Sequence, residues 1–85
     1  MISETDRNAL FAALSEIWSA LLGVDVADVS SSTNFFELGG DSLTAVRLVG
    51  SISSELGIQM HVRDVFDHPT LDEYVDIVAR GRLSA

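Results

Sequence analysis

The spacing of apolar residues limits this chain more than any other feature. Leu10, Leu14, Ile17 and Leu21 recur at steps of four, three and four, which is one stripe of an α-helix. Ala45, Leu48, Val49, Ile52 and Leu56 repeat that spacing, and Leu71, Tyr74, Val75 and Val78 repeat it again. Ile58 and Met60 alternate with polar neighbours, Gln59 and His61. With nothing for them to pair with, they read as an extended connection rather than a strand. The fold class is therefore all-α: a small four-helix bundle, three longer helices plus one short helix, with a long loop between helices one and two. The 85 residues form one domain, 1–85. A chain of this size buries roughly 60% of the surface its unfolded form exposes, so its core is thin.

Capping signals place the ends. Ser3-Glu4-Thr5-Asp6 opens helix one, predicted at about 5 to 22, with Trp18 covering the edge of its stripe. Gly23 suits a left-handed stop, with Val24 folding back on the helix. Residues 24 to 41 form the loop, anchored by Val26 and Val29. Phe35, Phe36 and Leu38 pin it, with one Phe deep in the core and a short helical turn at 34 to 37. Helix two runs from about 42 to 56 and stops at Gly57. A short helix follows at Val62-Arg63-Asp64-Val65-Phe66, with Val62, Val65 and Phe66 on one side. Pro69 ends it, and Thr70 with Glu73 forms a capping box for the last helix. Arg80 and Arg82 suit the negative end of that helix, and the tail after Gly81 is expected to fray.

The stretch that carries chemistry is Asn34-Phe35-Phe36-Glu37-Leu38-Gly39-Gly40-Asp41-Ser42-Leu43. Gly39 and Gly40 let the backbone turn and approach without Cβ obstruction. Ser42 then stands at the mouth of helix two. Backbone N–H groups and partial positive charge at a helix mouth welcome a phosphate. Either Asp41 or Ser42 can also serve as a plain helix cap. Beside Ser42, Leu43, Val46 and Gly50 make a second stripe that the bundle does not need, a surface for partner docking. Arg47 lies next to it and can steer an acidic partner patch.

Composition removes several functions. Thirteen acidic residues face five arginines, for a net charge of −8, which disfavours nucleic acid and anionic membranes and favours basic partners. No segment approaches the ~20 apolar residues of a membrane span, and the N-terminus lacks a signal-peptide layout. There is no cysteine, which suits a cytoplasmic protein and removes thiolate metal sites. His61 and His68 do not stand at a usual metal-ligand spacing. Gly-Asp-Ser-Leu also names a family of serine hydrolases. That chemistry needs a base, an orienting acid and an oxyanion hole, and 85 residues are too few for the α/β fold that holds them. His61 and His68 read as loop and capping residues.

The string Phe35-Phe36-Glu37-Leu38-Gly39-Gly40-Asp41-Ser42-Leu43, followed by Ala45-Val46-Arg47-Leu48, resembles the phosphopantetheine attachment motif of peptidyl carrier (thiolation) domains of nonribosomal peptide synthetases. Val65-Phe66-Asp67-His68-Pro69-Thr70-Leu71 matches a second family segment, Phe-x-x-Pro-Thr-Leu. The resemblance implies a non-catalytic carrier. Ser42 holds a covalent 4′-phosphopantetheine arm from coenzyme A, flanked by Asp41 and Gly40, and the arm carries aminoacyl or peptidyl groups as thioesters. It implies as partners a phosphopantetheinyl transferase working with Mg2+, an adenylation enzyme or domain, and downstream condensation or tailoring enzymes. Leu43, Val46 and Arg47 form the contact surface, and the carrier is a monomer. Many peptidyl carriers have His before the serine, whereas Asp41 is also common in acyl carriers. A polyketide-type acyl carrier therefore remains an alternative, as does a helical interaction module in which Ser42 only caps. A free-standing carrier is the expectation from Met1 and the single domain.

Overall fold

A computed structural model describes the backbone of residues 4–84 and the side chains of residues 6–81. Four α-helices follow in order: α1 (Glu4–Leu22), α2 (Ser42–Leu56), α3 (Val62–Asp67) and α4 (Leu71–Ser84). One turn of 3₁₀ helix, Val26–Asp28, interrupts the long loop. The described residues contain no strand. A lone antiparallel bridge joins Asn34 to Thr70. The bundle and its boundaries match the apolar spacing to within a residue or two, although Ser3 and the Arg82 side chain lie outside the described residues.

Both predicted glycine stops are present. Gly23 and Gly57 each have φ +69°. The Val24 N–H donates to the Ser19 carbonyl at 3.1 Å, the back-folded bond of a Schellman end. At α4 the Thr70 hydroxyl donates to Glu73 Oε1 at 2.7 Å and accepts the Glu73 N–H at 3.4 Å. His61 and His68 flank α3 as its N- and C-caps. The His61 N–H donates to Asp64 Oδ2 at 2.9 Å.

Helix α1 packs against both α2 and α4. Leu10, Leu14, Ile17, Ala45, Leu48, Ile52, Leu71, Val75 and Val78 form the core, as their spacing requires. Three expectations need correction. Trp18 does not cover an edge; it is fully buried, because the loop and α4 close over it through Phe35 and Tyr74. Val26 is not an anchor but 46% exposed on the 3₁₀ turn, and Val29 alone reaches the core. Phe66 leaves the core side of α3 and is 48% exposed. Val49 and Leu56 are half-buried and pack against the core, as their stripe requires. Helix α4 runs on through Gly81 to Ser84. A Cβ at Gly81 would lie 3.4 Å from both Ile58 Cγ2 and Met60 Sδ. The connection at 58–60 therefore packs closely on α4, and Ile58 and Met60 are buried there.

Candidate functional site

The loop before α2 is held in a fixed shape by its own side chains. Asn34 Oδ1 accepts the N–H groups of Phe36 at 2.9 Å and Glu37 at 3.2 Å. This closes the helical turn expected at 34–37. The Phe35 N–H donates to the Pro69 carbonyl at 2.8 Å, and the Leu71 N–H donates to the Thr33 carbonyl at 2.9 Å. Phe35 is the deep phenylalanine, with no exposed surface. Gly39 has φ +99°, a conformation that disfavours any L side chain. Gly40 is required for space: a Cβ there would lie 2.4 Å from the Phe35 ring and 2.7 Å from its carbonyl oxygen.

This brings Asp41 and Ser42 to the start of α2. The structure decides which residue caps. Asp41 is the N-cap, and its Oδ1 accepts both the Thr44 N–H and the Thr44 hydroxyl at 2.8 Å. These bonds hold the Asp41 carboxyl below its usual range, first through the Thr44 amide and then the Thr44 hydroxyl. The Leu43 amide and the Arg47 charge act in the same direction. Ser42 is the first residue of the helix and is exposed. Its hydroxyl has no hydrogen-bond partner among the described residues. The serine is thus relieved of a capping role and faces solvent at the positive end of a helix.

Leu43 and Val46 are 61% and 54% exposed. Arg47 is exposed beside them. The predicted second stripe therefore stands clear of the core. Two contributors were missed in the sequence. Thr44 gives Asp41 two bonds, and its place three residues after an Asp cap could have shown it. Phe66 stacks on Phe36, with ring centroids 4.9 Å apart and an interplanar angle of 27°. Nothing in the spacing of α3 distinguished that position from the core.

Comparison with known proteins agrees with this geometry. The family described as "phosphopantetheine attachment site" matches residues 12–78. Nonribosomal peptide synthetase kk1B of Curvularia clavata is 45% identical over 75 residues, covering 88% of this chain and 1% of that protein. The chain thus spans about one hundredth of the length of this relative. Among solved structures, BlmI, a type-II acyl-carrier-protein of Streptomyces verticillus involved in bleomycin biosynthesis, superposes with a TM-score of 0.81. It is 26% identical over 89% of each chain. A chain in the complex of the phosphopantetheine transferase Sfp with coenzyme A and a peptidyl carrier protein has a TM-score of 0.77 and 28% identity. That match covers 84% of this chain and 90% of the other.

Proposed function

The chain belongs to the phosphopantetheine attachment site family, and on that premise we propose that it is an aminoacyl or peptidyl carrier with its arm on Ser42. The observation that carries the assignment is the Ser42 hydroxyl, exposed at the mouth of α2 while Asp41 does the capping. The residues fit a phosphodiester. The first helical N–H groups and the helix dipole meet its negative charge, and Ser42 itself is exposed there. When bound, the arm supplies a thiol that holds an acyl group as a thioester.

The chain's own part is to present and to release. Esterification by a phosphopantetheinyl transferase would replace the Ser42 proton with the 4′-phosphopantetheinyl group of coenzyme A: the Ser42 oxygen would bond to the phosphorus next to pantetheine, the pyrophosphate bond would break, adenosine 3′,5′-bisphosphate would leave with its electrons, and the proton would pass to the transferase or solvent. Asp41, ionised beside the serine, can lend an oxygen to the magnesium ion of that enzyme. Leu43 and Val46 give visiting enzymes an apolar contact, and Arg47 gives a positive one. Such contacts suit small interfaces that form and part quickly. An adenylation enzyme would load the amino acid, and condensation or tailoring enzymes would receive it. The helices position one hydroxyl, and the protein serves as substrate and holder rather than as enzyme. No helix among the described residues is long and apolar enough to cross a membrane.

The test is the intact mass after incubation with coenzyme A and a broad phosphopantetheinyl transferase. We expect a gain of one phosphopantetheinyl group, abolished in Ser42→Ala. No gain, or a gain that survives the substitution, refutes the assignment. The similarity to BlmI favours one second reading, an acyl carrier. Competition between adenylating enzymes and malonyl or acyl transferases for loading the modified protein separates the two.

A further inference from the structure

Five aromatic rings form a continuous ladder from the core to the surface, through the loop that leads to Ser42. Tyr74 and Trp18 lie 5.9 Å apart, Trp18 and Phe35 5.1 Å, Phe35 and Phe36 5.4 Å, and Phe36 and Phe66 4.9 Å, measured between ring centroids. The two inner contacts to Phe35 are edge-on, at 70° and 85°. The outermost is the stacked one. Phe36 is half-buried and Phe66 is 48% exposed, so the last rung is open to solvent on one side.

This ladder ties α3 to the serine loop. Three backbone bonds join the loop to the segment after α3: Asp72 N–H to the Ser31 carbonyl, Leu71 N–H to the Thr33 carbonyl, and Phe35 N–H to the Pro69 carbonyl. The Phe35 bond is the one nearest Ser42 along the chain. The Phe36–Phe66 stack lies beside that bond on both segments, one residue away in the loop and three residues away along the chain from α3. Together they fix the orientation of the turn at 34–39. The turn sets Gly40 directly, through the Phe35 ring and the 3.0 Å bond from Gly40 N–H to the Phe35 carbonyl. Gly40 is two residues from Ser42.

We propose that Phe36 and Phe66 are positioning residues for the modification of Ser42: their stack holds the mouth of α2 in the geometry that a transferase engages. This rests on the carrier reading above. Neither ring need touch the reacting atoms. A docking role for Phe66 alone would make a different prediction, because Phe36 is a loop residue half-covered by the fold.

The experiment is a double-mutant cycle with Phe36→Leu, Phe66→Leu and the double variant, with Phe66→Tyr as the conservative control. Leucine keeps an apolar contact at the surface but removes the stack. Each single variant should lower kcat for coenzyme A-dependent modification by about two- to ten-fold, the range one aromatic pair can supply. KM for the carrier should stay near wild type. The double variant should be no slower than the slower single one, and Phe66→Tyr should restore the rate. Independently of any modification, amide exchange at Gly40 should quicken in the unmodified Phe66→Leu protein. Additive losses, a change confined to KM, or unchanged exchange at Gly40 would each overturn the proposal. If Phe36→Leu fails to fold, the contrast of Phe66→Leu with Phe66→Tyr, read by kcat and by exchange, still decides. Failure of the wild-type chain to be modified would instead strike the carrier reading, and the exchange result would stand apart from it.

Discussion

Two adjacent glycines precede Ser42 for different physical reasons. Gly39 is needed for its dihedral, φ +99°, and has open space around it. Gly40 is needed for room, because the Phe35 ring and carbonyl occupy the place of a side chain. Part of that obstruction is backbone, which cannot swing aside. Gly40→Ala should therefore destabilise by ~1–3 kcal/mol, as other overpacked sites do, and should slow modification of Ser42. A thermal melt and a modification time course on one preparation would check both. A normal melting temperature would mean that the loop yields more than its bonds suggest. Asp41 supports a second prediction. Its pKa is depressed chiefly by Thr44, so the native state favours its ionised form. The sign follows: the cap's contribution is present above the unfolded pKa and is lost as pH falls through the lower folded one. In Thr44→Val the hydroxyl bond is gone while the amide bond stays. The Asp41 midpoint, followed by carboxyl chemical shift, should rise towards its ordinary value without reaching it. An unchanged midpoint would remove Thr44 from the account.

At the scale of elements, α2 has two jobs on two faces. Ala45, Leu48 and Ile52 are fully buried, whereas Leu43 and Val46 are mostly exposed. Leu48→Ala should cost ~2–5 kcal/mol, as a core truncation does. Leu43→Asp and Val46→Asp should stay within about 0.5 kcal/mol of the parent and yet slow modification. Urea midpoints at constant slope separate the two classes. A large loss of stability in Val46→Asp would place that residue in the core and remove the docking face. The same helix shows what could be read in advance. Its limits and its buried stripe were legible, because a 3.6-residue period and a glycine in the left-handed region act locally. The choice of cap was not, since Asp and Ser both cap well; it is the Thr44 amide and hydroxyl, both donating to Asp41 Oδ1, that mark Asp41 as the cap. Trp18 was misplaced because a stripe at steps of three and four predicts a single buried face. In α1 the buried arc is wider, with the loop and α4 both closing on Trp18. Phe66 was misplaced in the opposite sense. A helix as short as α3 has few positions to define a face, and its phenylalanine found a partner in the loop instead. The close packing of the connection at 58–60 on Gly81 was not legible either, because it is an effect of tertiary packing.

At the scale of the whole molecule, packing and charge serve different ends. The N-terminal parts of α1 and α4 are joined by Arg7 of α1, whose guanidinium reaches Asp72 at 2.7 Å and Asp76 at 2.9 Å on α4. Both acids are more than half exposed, so this fork is worth only ~1 kcal/mol or less. Most of the −8 charge is left to act outward. An acidic particle with an apolar stripe at one helix mouth can be recognised in two ways, and salt distinguishes them. If long-range attraction to a basic enzyme surface brings the carrier in, screening should lower kcat/KM for modification by roughly ten-fold between ~0.05 and ~0.5 M NaCl while kcat holds. If the Leu43–Val46 contact dominates, salt should leave kcat/KM level or raise it. We expect the fall, because the apolar stripe is small and the charge is large for so short a chain. A level or rising profile would reduce the acidic surface to a device for solubility, with recognition resting on the stripe alone. Repeating the series with the uncharged Val46→Ser completes the separation. That variant should start lower and keep the same salt slope, since it removes apolar contact and leaves the attraction between the two surfaces in place.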